Sequence, residues 1–116
     1  MKFKEGIEKE DLAMLTPKML IVLGYASLFA QKNKLDFVIT NIKHKFEASK
    51  SNTHPEGRAI DVSVNGWSTE DADNLSLFLE QNCGELGAIS ASTGTRRLVV
   101  RHDIGLGDHI HLQVER

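Results

Sequence analysis

His54, Asp61 and His111 carry the donor chemistry of a metal site. Two imidazole nitrogens and one carboxylate oxygen form the kind of set that holds a catalytic zinc ion, with a fourth position left to water. Such a metal lowers the pKa of its water to about 7, so a nucleophile forms without a strong base. A carboxylate must then accept that water's proton. Asp108 stands three residues before His111, just after the Gly105-Leu106-Gly107 turn, where glycine allows a tight approach. His54 lies seven residues before Asp61, close enough to fold back over a strand bearing that aspartate. The competing reading of the same residues is plain: most histidines sit on surfaces or in cores and bind nothing, and this chain has five.

Positioning these groups requires strands whose polar faces meet. Arg58 to Asn65 alternates, with Ile60, Val62 and Val64 on one side and Asp61, Ser63 and Asn65 on the other. His109 to Glu115 alternates likewise, setting Ile110, Leu112 and Val114 inward and His109, His111 and Gln113 outward. Around these strands, Thr16-Pro17 is a helix start, with Thr as cap and Pro in the first turn. Met19, Leu20, Leu23, Leu28 and Phe29 recur at roughly helical spacing and carry that helix to about Lys32. Leu35 to Ile42 reads as a strand, and Lys43 to Gly57 as a long polar loop. Ser68, with Asp71 three residues on, caps a second helix over 69–83 that Gly84 ends. Leu86 to Ala91 and Arg96 to Arg101 form a hairpin around Thr93-Gly94. The order implies an α+β fold: a mainly antiparallel sheet with helices packed on one face. The polar faces carrying Asp61 and His111 then fall on the opposite side.

Composition narrows the classes. The 116 residues fit one domain, spanning 1–116, able to bury a sizeable core without staples. A formal net charge of -2, with no basic run, gives no reason to expect nucleic acid. Cys83 is the only cysteine, so an internal disulfide is excluded, and a buried structural thiol is expected on or at the end of the second helix. The start, MKFKEGIEKEDLAML, is too charged for a secretory signal. The apolar stretch from Met19 to Ala30 is interrupted and falls short of the ~20 residues of a membrane span. The expectation is a soluble protein made in a cytosol, with no membrane partner.

Ser51-Asn52-Thr53-His54-Pro55-Glu56-Gly57-Arg58-Ala59-Ile60-Asp61 resembles the S-x-x-H-x-x-G-x-A-x-D signature of the M15 zinc peptidases. That family includes D-alanyl-D-alanine carboxypeptidases and dipeptidases and phage endolysins that cut L-alanyl-D-glutamate bonds. It shares its fold with the hedgehog signalling domain. Asp108-His109-Ile110-His111 resembles the family's second motif, an acidic residue followed three positions later by His. The resemblance extends loosely over 17–114 and implies zinc ligands at His54, Asp61 and His111 with Asp108 as general base. It implies a zinc-dependent hydrolysis of a peptide bond in peptidoglycan stem peptides, on a hedgehog/DD-peptidase-like fold. With no signal peptide or wall-binding module, the chain most resembles a phage or prophage product that reaches the wall by lysis or in a virion.

One segment departs from the pattern. Such peptidases usually carry a stretch like S-G-x-R after the first strand, whose Arg grips substrate. Here Thr40-Asn41-Ile42-Lys43-His44-Lys45 stands in that place. Lys43 or Lys45 is the substitute cation, without the planar fork of arginine. Arg58 is a second candidate for substrate carboxylates, and His109, on the His111 face, a third substrate contact; the alternative for each is a solvated surface group. His44 and His102 read as surface residues, Trp67 as a packing anchor, and Arg96-Arg97 as a solvated edge. Two other functions stay in view. One keeps the zinc site for structure or partner binding without catalysis. The other notes that His109-Ile-His111-Leu-Gln113 resembles the H-x-H-x-Q strand of histidine-triad nucleotidyl transferases, which leaves the His54 to Asp61 motif without a role.

Overall fold

Thr16 opens the first long helix as its composition requires: its Oγ1 accepts from the Met19 N–H at 3.3 Å, and Pro17 fills the first helical position. The computed structural model describes residues 1–42, 57–89, 93–103 and 108–116. Helix α1 spans Pro17–Lys32 and α2 spans Thr69–Cys83. Ser68 caps α2 by accepting from the Asp71 N–H at 3.0 Å. Both helices match the bounds expected from sequence. Gly84 does end α2, yet in a right-handed conformation, and the chain tightens into a 3-10 turn over Gly84–Leu86.

The buried stripe of α1 differs from the one the large side chains suggest. Met19, Val22, Leu23, Ala26 and Ala30 face the core, while Leu20 is 44% and Leu28 42% exposed. The buried positions repeat at i, i+3, i+4, i+7 and i+11, and two of them are alanines that let the helix approach the sheet. Side-chain size misleads here; spacing decides. Phe29 instead packs toward α2, its ring centroid 5.5 Å from that of Phe78.

Strands β1 (Lys2–Phe3), β2 (Val38–Asn41), β3 (Ala59–Ser63), β6 (Val99–Asp103) and β7 (Asp108–Gln113) form one sheet in the order β1-β2-β3-β7-β6. Strands β4 (Ala88–Ile89) and β5 (Arg96–Arg97) form a separate two-stranded ribbon. The architecture is α+β, and its main sheet is mixed. Three ladders are antiparallel, as expected, but β1 runs parallel to β2. The charged N-terminus gave no sign of that strand. It is held by main-chain bonds such as Lys4 N–H to the Ile39 carbonyl, 2.9 Å, which leave no mark on side-chain pattern.

The stretch read as one strand from Arg96 to Arg101 is two. Arg96–Arg97 pairs with β4, and after Leu98 the chain joins the main sheet beside β7. Gly87 makes that change of sheet possible: a Cβ there would stand 2.7 Å from the Leu98 nitrogen. Arg96 is correspondingly more than a solvated edge charge. Its guanidinium donates to the Glu85 and Gly87 carbonyls and to Glu115.

Ile39, Ile60, Val62, Ile110 and Leu112 from the sheet join Leu75 and Leu79 of α2 and the α1 stripe in one core, each of these strand residues fully buried. Cys83 is buried there too, and burial pushes its thiol pKa up. Trp67 packs against the same core and donates its indole N–H to the Asp36 carbonyl at 2.9 Å. Among the described residues, no helix is long and apolar enough to cross a membrane.

Candidate metal centre

Because Ile60, Val62, Ile110 and Leu112 face the core, the alternate residues of β3 and β7 face away from it. The register places Asp61 directly opposite His111, Ser63 opposite His109 and Ala59 opposite Gln113. Cross-strand partners in an antiparallel pair share a face. Asp61 and His111, fifty residues apart in the chain, therefore meet: Nδ1 of the imidazole lies 2.8 Å from Oδ1 of the carboxylate. Their side chains are only 10% and 15% exposed, His111 and Asp61 respectively.

Among the described residues His111 is the only buried polar or charged side chain. Burial makes its partners matter, since an unsatisfied polar group there would cost about 1–3 kcal/mol. Both ring nitrogens are engaged, Nδ1 with Asp61 and Nε2 with Oε1 of Gln113 at 3.1 Å. Gln113 in turn donates its Nε2 hydrogen to the Arg97 carbonyl at 3.1 Å. A shielded imidazole nitrogen beside a carboxylate oxygen fits the donor preference of zinc. Reading the sequence finds the first two members of this array and misses the roles of Gln113 and the Arg97 carbonyl. The available signal was the outward phase that Gln113 shares with His111.

Backbone features near the pair explain several residues of the first motif. Gly57 has φ of 71°, and a Cβ on it would fall 2.0 Å from the Met14 carbonyl oxygen, so no other residue fits. Its own carbonyl accepts from the Thr16 N–H at 3.0 Å, tying the entry of β3 to the start of α1. Ala59 is fully buried opposite Gln113, where a larger side chain would compete for the space of the amide. On the other side of β3, the register with β2 shifts between Ile39 and Asn41, which brings Asn41 opposite Asp61. Bulges of this kind are common beside functional groups, where they re-aim side chains.

The remaining candidates are placed unequally. Asp108 is the first residue of β7, paired in register with Asp103 and three residues before His111. His109 is half-buried in β7, in the same outward phase as His111. Arg58 stands just before β3, and one guanidinium nitrogen donates to the Val114 carbonyl at 3.1 Å, bracing the ends of β3 and β7. His54 and Lys43 lie outside the described residues, as do His44 and Lys45. Among the described residues, no three His, Cys, Asp or Glu side chains gather as a metal-holding group. The pair Asp61–His111 thus brings two candidate donors together, and the third assigned from sequence, His54, lies outside the described residues.

No family model matches the chain, and no curated protein or solved structure matches it.

Proposed function

We propose that this chain is a zinc-dependent peptidase that hydrolyses a peptide bond in the stem peptides of bacterial peptidoglycan. One observation carries the reading. The aspartate of the first motif and the histidine of the second, remote in sequence, occupy paired positions on the sheet face away from the helices, 2.8 Å apart. Both motifs also match the M15 pattern in residue type and spacing. The finer fold assignment, a hedgehog/DD-peptidase-like sheet with its metal on the open face, belongs to the same proposal.

In this reading His54, Asp61 and His111 hold the ion. When bound, zinc supplies Lewis acidity at the scissile carbonyl and an acidified water at neutral pH. Asp108 accepts the proton released in the attack at its carboxylate and returns it to the departing amine. Lys43, Arg58 and His109 are the groups assigned to the substrate's carboxylates and amides, with Lys acting as a point charge where the family usually has arginine. This reading assigns the protein to phage or prophage products that meet the wall by lysis or in a virion.

Digestion of purified peptidoglycan tests this. Asp108→Ala should keep its zinc and lose turnover by about 10²–10⁴-fold; full muralytic activity in that variant would overturn the mechanism. The departure at Thr40–Lys45 favours one other reading, a zinc-binding domain of the same fold without catalysis. Stoichiometric zinc with no cleavage of any peptidoglycan fragment would select it.

A further inference from the structure

A backbone carbonyl decides which nitrogen of His111 carries hydrogen. Carbonyl oxygens accept and never donate. The 3.1 Å contact between Gln113 and the Arg97 carbonyl must therefore be made by the amide NH₂ of Gln113. That orientation turns Oε1 toward Nε2 of His111, 3.1 Å away. Oε1 is also an acceptor only, so Nε2 must supply the hydrogen. Rotating the amide by half a turn would set oxygen against oxygen at Arg97.

We propose that Gln113 is a positioning residue of the metal centre: aligned by the Arg97 carbonyl, it fixes the hydrogen of His111 on Nε2 and so reserves Nδ1, beside the Asp61 carboxylate, for zinc. This rests on the metal site proposed above and adds which nitrogen binds and what sets it. The relay is built into the main chain. The Gln113 N–H donates to the Leu98 carbonyl at 2.9 Å, which holds this end of β7 against the residue following Arg97. Gly87 lets the backbone pass close behind, its missing Cβ lying within 2.8 Å of the Arg97 carbonyl carbon. Ala59 leaves room for the amide from the opposite strand. With Nε2 satisfied, the lone pair on Nδ1 and the carboxylate oxygen are two acceptors 2.8 Å apart, an arrangement that calls for a cation or a proton between them. Partners that orient a ligating histidine in this way typically account for about 10–100-fold in metal affinity.

The test combines chelator competition for zinc with long-range ¹H–¹⁵N correlation spectra of His111, in wild type, Gln113→Leu and Gln113→Glu. Glutamate keeps an acceptor for Nε2; leucine removes it. In wild type, Nε2 should stay in the protonated range before and after zinc is added. Gln113→Leu should bind zinc about 10–100-fold more weakly and should lose the Nε2–H signal, while Gln113→Glu, which keeps the acceptor for Nε2 but sets an oxygen against the Arg97 carbonyl, should keep that signal and recover only part of the affinity. A bare Nε2 in wild type, or unchanged affinity and spectrum in Gln113→Leu, would overturn the inference. A wild type that takes up no zinc would remove the proposed function and with it the affinity readout. The Nε2 signal would then still decide whether Gln113 sets the tautomer.

Discussion

Ala59 faces Gln113 across the β3–β7 ladder and is fully buried, so the site's supporting amide has a methyl group for a neighbour. Opposed Cβ atoms in such ladders stand only about 4.5–5.5 Å apart. Ala59→Leu should push the amide away from His111. The expected outcome is a loss of about 1–3 kcal/mol in unfolding free energy, together with weaker zinc binding by chelator competition. Unchanged zinc affinity at reduced stability would detach Ala59 from the site. At this scale the sequence declared the Asp61–His111 pair better than its supports. Histidine and aspartate in an outward phase stand out by residue type. An amide whose task is to accept one hydrogen, from a strand beside a carbonyl in another element, stands out only once the register is known.

The elements follow from local chemistry where that chemistry is complete. Thr16-Pro17 and Ser68 with Asp71 specify helix starts, and the bounds of α1 and α2 agree with them to the residue. Alternation specified the two faces of β3 and β7. Elements defined by distant partners were not legible: β1 has two residues, and the division of 96–103 at Leu98 depends on Gly87 lying against it. The large apolar residues of α1 mark the helix but not its buried face, which includes Ala26 and Ala30 and leaves Leu20 and Leu28 exposed. Gly57 makes a sharp test of how the first motif is built. Alanine there would adopt a left-handed φ and place its Cβ 2.0 Å from a backbone oxygen. Gly57→Ala should destabilise the protein by about 2 kcal/mol or more in chemical denaturation and impair zinc uptake by displacing the entry to β3. A neutral result would mean that the motif glycine has no structural duty.

At the scale of the molecule, a charge cluster ties the C-terminal segment to the start of α1 and to β5. Glu115 meets Lys18 of α1 at 2.7 Å and Arg96 of β5 at 2.5 Å. The Lys18 hydrogen bond, followed by that of Arg96, lowers its pKa from 4.5 to about 2. A carboxylate with a depressed folded pKa stabilises the protein above its unfolded value and loses that contribution as pH falls toward the folded one. The window is therefore from 4.5 down to about 2. Wild type should exceed Glu115→Gln in denaturation midpoint at pH 6, and the gap should narrow steadily below pH 4.5. Added salt should narrow it too, because these groups are partly exposed. A gap independent of pH would show that the cluster holds by shape and not by charge.

The same long-range assembly creates the site. Asp61 and His111 become neighbours only because β7 returns to pair with β3, so their pairing is a property of the folded sheet and not of either motif. Elemental mass spectrometry of purified protein, wild type beside His54→Ala and His111→Ala, tests that claim most directly. The account expects about one zinc per chain in wild type and its loss in both variants. A wild type that stays free of metal after zinc is supplied would contradict it.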